Sequence, residues 1–329
     1  MDGAAAAALA ALANRLEADG AHLVIDADTH ISDLRSLSEG EQRRHDADAG
    51  YYHGRPVSAE ELIEEMDLAG VDMALVWQNP SATAYCGNPV RNTEALAAAN
   101  GYVCAAARRH PARLIPAGWV DPQACGLENT LRLVDILVGE LGFFMVKLNP
   151  AQNRFMMDSP DALAVVDRIV ERGAVPAFHF GADTPYTPAG ALRAIAERHP
   201  EQPVVAVHMG GGGASYTDAE RLYLEARALG LERPNVRYAL STRRDAHTES
   251  DLIAYQRAGE PFRRNLFCAS DAPYGRMAWN FGGFRAMLHS LEAARPELFD
   301  GAAAANYLGG NCARFAAESC RRLLDAACR

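Results

Sequence analysis

Ile25-Asp26-Ala27-Asp28-Thr29-His30 follows Leu23 and Val24 and reads as the end of a buried strand. Side chains alternate faces along a strand, so this reading puts Asp26, Asp28 and His30 in one row, with about 6–7 Å between successive members. Two carboxylates and an imidazole inside an otherwise apolar layer are costly unless something compensates them. One divalent cation would satisfy an ionised carboxylate and a neutral imidazole together. The competing reading is a strand end at which Asp28 and His30 merely reach solvent. The stretch itself leaves both open, and the rest of the chain must decide.

Seven further apolar runs follow, each separated from the next by a helical pattern. They are VDMALVW at 71–77, LIPAGWV at 114–120, FFMVKLN at 143–149, VPAFHF at 175–180, VVAVH at 204–208, VRYAL at 236–240 and LFCASD at 266–271. Helices are expected at about 89–109, 124–140, 159–172, 188–199, 217–229, 250–258 and 281–293, and a capping box at Ser58 and Glu61 opens another that ends at Gly70. Near-continuous apolar strands alternating with helices are the pattern of a parallel sheet covered on its faces. Eight such units over about 250 residues predict an α/β chain of the (β/α)8 TIM-barrel class. An open doubly wound sheet is the runner-up, and it lacks a dinucleotide glycine fingerprint here. The expectation is one domain over residues 1–329, with the barrel core at about 23–293, an N-terminal helix at 4–18 and a C-terminal helical extension at about 301–308 and 311–327. Residues 31–57 read as a long polar loop and a candidate lid over the barrel mouth.

The bulk composition, 49% apolar and 22% charged, is that of an ordinary globular chain. A net charge of −10 argues against a nucleic-acid or anionic-membrane surface and leaves the charge of a small substrate open. Seven cysteines without a CxxC pair indicate neither a disulfide framework nor a zinc ribbon, and a reducing cytoplasm is expected. The Ala-rich start lacks a basic segment and reads as a helix, and no apolar run approaches membrane-spanning length. The expected partner is a small molecule, with a homodimer compatible and neither nucleic acid nor membrane expected.

In a barrel, active sites collect at the C-terminal ends of the strands. Asp28 and His30 end the first apolar run, His179 the fifth, His208 the sixth and Asp271 the eighth. Each leaves the core at a matching place, which points to a metal site, against a structural hydrogen-bonded cluster. Carboxylates together with imidazoles suit Zn2+ or Mn2+ better than Mg2+. Trp77, Gln78, Asn79, Asn149, Arg243, Arg244, Tyr274 and Arg276 stand at other strand ends and are candidates to hold substrate, the arginines by pairing with a carboxylate. The glycines at 210–213 could bring backbone amides close to a ligand, or form a βα turn.

The ordered set Asp26-Ala27-Asp28-Thr29-His30, GFFMVKLNP at 142–150, VVAVHMGG at 204–211, LFCASDAPYG at 266–275 and YLGGNCARF at 307–315 resembles the amidohydrolase superfamily. The likeness is to its amidohydrolase-2 branch, which includes aminocarboxymuconate-semialdehyde decarboxylase and γ-resorcylate decarboxylase. The resemblance implies that His30, His179 and Asp271 bind a metal ion. Asp28 falls where the family usually has a first histidine and some members a carboxylate, so it joins them as a ligand. It further implies that His208 contacts the reacting group and moves protons. Lys147 falls where binuclear members carry a carboxylated lysine; read by itself, it is a paired or substrate-facing ammonium.

These residues suit metal-activated water. An ion with an open position lowers the pKa of bound water toward about 7, Asp271 could accept its proton, and His208 could serve the leaving group. The leading expectation is therefore a metal-dependent hydrolase of a small, anionic amide, ester or lactone, with His208 and Asp271 catalytic. The second is non-oxidative decarboxylation of an aromatic or unsaturated acid, and the third a metal-free binding barrel.

Overall fold

The computed structural model describes residues 1–47, 54–181, 185–211 and 219–328. Parallel strands run through it in sequence order: β1 (Ile25–Ile31), β2 (Met73–Gln78), β3 (Leu114–Pro116), β4 (Gly118–Trp119), β5 (Met145–Leu148), β6 (Val175–His179), β7 (Val204–Val207), β8 (Val236–Leu240) and β9 (Leu266–Cys268). They fall into a sheet β1-β2-β3 and a sheet β4-β5-β6-β7-β8-β9. β3 and β4 are one run interrupted at Ala117, where Pro116 has no N–H to continue the ladder. Ala117 itself donates its backbone N–H to Val76. At the other seam Thr29 pairs in parallel with Ala272, His30 N donates to Ala272 O at 2.7 Å, and Asp271 N donates to Asp28 O at 2.9 Å. Backbone hydrogen bonds thus bridge both seams of the expected barrel.

Helices cover the sheet where the apolar spacing placed them. The capping box is present, with Ser58 and Glu61 bonding reciprocally to each other's backbone N–H and Gly70 ending Ala59–Ala69 in the left-handed conformation. The first helix, Gly3–Asp19, lies against the last, Asn311–Ala327, where Arg321 pairs with Glu17 at 2.7 Å. Before that last helix, Gly309 meets β1 so closely that a Cβ would sit 1.8 Å from Leu23 O, so a side chain there would push the C-terminal extension off the barrel. Among the described residues no helix is long and apolar enough to cross a membrane.

Two expectations need correction. The segment 31–57 is not simply a loop: it holds a 3-10 turn at Leu34–Ser36 and a helix at Glu39–Ala47. That helix buries no side chain, so it has no apolar stripe to betray it, and it is supported by charge pairs such as Arg44–Glu41 at 3.1 Å. Residues 48–53, with Tyr51, Tyr52 and His53 of the proposed lid, lie outside the described residues, as do Gly212 and Gly213 of the glycine run. Second, β1 does not alternate strictly. Asp26 pairs with Ala74 and Thr29 with Val76, so β1 spends three steps where β2 spends two. This bulge breaks the row of acidic residues. Asp26 turns to Ser270, whose backbone N–H it accepts at 3.0 Å and whose hydroxyl it also accepts, leaving Asp28 and His30 at the barrel mouth. Burial raises the Asp26 carboxyl to about 8, against the lowering pull of the Ser270 bonds.

Candidate metal centre and catalytic cavity

Asp28, His30 and Asp271 converge at the C-terminal ends of β1 and β9, and one ligand atom from each lies within 4.8 Å of the others. His30 Nε2 is 3.7 Å from Asp28 Oδ1 and 3.3 Å from Asp271 Oδ1. Its Nδ1 lies 2.9 Å from Gln78 O, which can only accept, so Nδ1 carries the proton and Nε2 presents its lone pair to the carboxylates. That is the tautomer of a metal-ligating histidine held by a backbone carbonyl. The ring is wedged edge-on between Trp119 and Tyr274, at centroid distances of 5.9 and 5.6 Å. The trio fits a divalent ion: oxygen and neutral nitrogen donors, buried, and fixed from behind.

Asp28 accepts three side-chain hydrogen bonds. Oδ1 accepts from Lys147 Nζ at 3.0 Å and from Trp77 Nε1 at 3.1 Å, and Oδ2 accepts from Ser241 Oγ at 2.8 Å. Burial by itself would raise this carboxyl, but the charge of Lys147 and its hydrogen bond hold it well below the usual carboxylate range.

The Ser241 hydroxyl that donates to Asp28 accepts in turn from His208 Nδ1 at 2.8 Å. His208 therefore keeps its proton on Nδ1, and its Nε2 lies 3.1 Å from His179 Nδ1. Burial lowers the pKa of both imidazoles, that of His179 the more strongly, so both are neutral at neutral pH; Asp271 and Asp28 partly offset the effect at His208. His179 belongs to this pair and stands outside the compact Asp28–His30–Asp271 trio. Gly181 is what leaves it room, since a Cβ there would come within 2.6 Å of His179 Nε2. His208 (φ 76°), Met209 (φ 44°), Thr242 (φ 50°) and Asp271 (φ 60°) all hold left-handed backbone just past strand ends. Such strained positions concentrate at functional sites.

A cavity of about 320 Å³ opens over this cluster, lined by residues that include His30, Trp119, Lys147, Asn149, His179, His208, Asp271 and Tyr274. Of the expected substrate residues, Asn149 and Tyr274 line it. Tyr274 donates to Asn79 Oδ1 at 2.9 Å and bonds Ser81. Trp77, Gln78, Asn79, Arg243, Arg244 and Arg276 do not line it, and three of these have clear reasons. Trp77 is wholly buried behind Asp28, as a donor to it. Arg276 points away from the mouth to Glu65, at 3.2 Å, and lies over the exposed Trp279. Arg243 turns inward, where it bonds the carbonyls of His208 and Met209 and the carboxylate of Asp251. Residues that the sequence reading passed over are Trp119, counted only as core, and Ser241, which stands directly after β8 and so met the strand-end criterion.

The Arg243 correction carries a prediction. Asp251 is fully buried and also accepts from Arg227, so Asp251→Ala strands two guanidinium groups and frees the turn that carries His208. The expected cost is about 3–5 kcal/mol of stability, read as a lower urea midpoint at unchanged slope; a loss under about 1 kcal/mol would show the pair to be dispensable.

The amidohydrolase family profile matches residues 25–315. None of the curated proteins searched matches the chain. Among solved structures, 2,6-dihydroxybenzoate decarboxylase from Rhizobium is similar with a TM-score of 0.64 at 14% identity, covering 92% of this chain and 98% of that one. 5-Carboxyvanillate decarboxylase from Sphingomonas paucimobilis gives a TM-score of 0.63 at 16% identity, covering 89% and 98%. A dihydroxybenzoic acid decarboxylase from a Polaromonas species, with bound manganese and the inhibitor 2-nitroresorcinol, gives 0.62 at 12% identity, covering 89% and 96%. At these identities the likeness speaks to the fold. With the profile spanning nearly the whole barrel and the strand-end residues gathered at its mouth, the chain belongs to the amidohydrolase family.

Proposed function

We propose that the chain works as one catalytic unit, a metal-dependent, non-oxidative decarboxylase of a small aromatic or unsaturated carboxylic acid. The observation that carries this reading is the neutral His208 imidazole, fixed by Ser241, on the same small cavity as His30 and Asp271 of the candidate metal trio and the rings of Trp119 and Tyr274. About 320 Å³ suits one substituted ring with its carboxylate. The likeness to decarboxylases of hydroxylated aromatic acids, one of them with bound manganese, supports the same choice.

His30 and Asp271, with Asp28 beside them, would hold a Zn2+ or Mn2+ ion, whose charge would draw in the carboxylate or an adjacent hydroxyl. The rest is this chain's own work. Trp119 and Tyr274 wall the ring and exclude water. The bond from ring to carboxyl carbon breaks, its electron pair stays on the ring carbon, CO2 leaves, and a proton takes its place. His208 and Asp271 face the cavity together and carry that proton. No oxidant is required.

The test supplies a panel of hydroxylated benzoic acids, 2,6-dihydroxybenzoate among them, alongside lactones and amides in H2¹⁸O. Release of CO2 with the matching arene is expected, abolished by chelator and restored by Mn2+ or Zn2+. Incorporation of ¹⁸O from a lactone or amide, with no CO2 from any acid, would replace this reading with hydrolysis. Full activity in chelator would remove the ion from it.

A further inference from the structure

The chain has 31 arginines and a single lysine among its 329 residues. That lysine, Lys147, is on β5 inside the barrel, with its side chain only 2% exposed. Its Nζ is 3.0 Å from Asp28 Oδ1 and lies over the indole faces of Trp77 and Trp119, 4.9 and 5.1 Å from their centroids. It lines the catalytic cavity together with Asn149, His208 and Asp271.

We propose that Lys147 is an uncarboxylated ammonium that stays clamped on Asp28 and offers its remaining N–H groups to the carboxylate of an acidic substrate. This rests on reading the cavity as the reaction site. Carboxylation of Nζ would replace the cation by an anion directly against the buried Asp28, turning the strongest local attraction into repulsion. It would also forfeit the two indole faces, which favour a cation. Oδ1 of Asp28 already takes two donors, Lys147 and Trp77, so the ammonium is part of what keeps that carboxylate satisfied. An ammonium has three donors in tetrahedral array, and Asp28 takes one. An arginine spends its donors in one plane; a lysine can hold Asp28 with one N–H and aim another into the cavity. The anchor also compensates for Arg243 and Arg276, which do not reach the cavity.

Because the lysine is unique, labelling with ¹⁵Nζ-lysine yields a single side-chain resonance. Benzoate is the probe, titrated into the metal-loaded protein by calorimetry and by that resonance. Benzoate is expected to bind and to shift the Lys147 signal, with an intact mass showing no added CO2 and about one metal ion per chain. Lys147→Met is expected to keep its metal and to bind benzoate on the order of 10-fold more weakly, or about 1.4 kcal/mol. Should that variant not fold, the resonance in the unaltered protein decides. The proposal is overturned by a mass gain of one CO2 that exchanges with labelled bicarbonate. It is equally overturned by benzoate binding that leaves the resonance in place, or by no benzoate binding at millimolar concentration. Failure of every acid to release CO2 would sink the decarboxylase reading alone, since the benzoate titration does not depend on turnover.

Discussion

Asp271→Asn is expected to lower kcat by on the order of 10²–10⁴ with little change in KM. Asp271 stands just beyond β9, lines the cavity, and holds Oδ1 3.3 Å from His30 Nε2. Its backbone, at φ 60°, is in the left-handed region, where asparagine is at ease, so this substitution does not strain the turn. The bonds that fix the turn run through the main chain: Asp271 N to Asp28 O at 2.9 Å, and Gly275 N to Asp271 O at 3.0 Å. The fold should therefore survive, and the amide oxygen can still face a cation. What disappears is the negative charge and the ability to take up or release a proton. Metal content and kcat measured on one preparation separate these effects. Intact metal with wild-type turnover would assign the proton to His208 alone; lost metal would make Asp271 chiefly a ligand.

His208→Asn should be comparably damaging and should leave the metal in place. At φ 76° the backbone again suits asparagine better than alanine. The variant removes the imidazole that links Ser241 to His179 without touching the Asp28–His30–Asp271 trio. A fall in kcat of on the order of 10²–10⁴ is expected, as for loss of a positioned acid–base group. His30→Ala is the contrasting case. It takes the only nitrogen donor from the trio and should strip the ion. Equal metal loss in both variants would make His208 a ligand and call for a second ion in the site.

The sequence by itself determined the barrel and the strand ends where polar residues leave its core. Eight apolar runs of strand length alternate with helical patterns because every strand is covered on both faces, and a polar residue at the end of such a run can only be where the chain leaves the core. That logic located Asp28, His30, His179, His208 and Asp271, and it could have located Ser241. It could not say where a side chain turns once it is there. The bulge in β1 takes Asp26 out of the row by a single inserted residue, a matter of register with β2 rather than of residue type. Arg243 reads as a rim cation, yet it bends inward because Asp251, contributed by the helix Asp245–Ala258, offers a buried carboxylate. Trp77 and Lys147 gave no sign of their partner in the sequence, yet both turn to the Asp28 carboxylate, Trp77 from the neighbouring strand β2 and Lys147 from β5. The exposed helix Glu39–Ala47 left no apolar period to read. Periodicity is a local property of the chain and survives in its sequence; pairing between charges and donors from distant strands arises only when the tertiary structure brings them within a few ångströms.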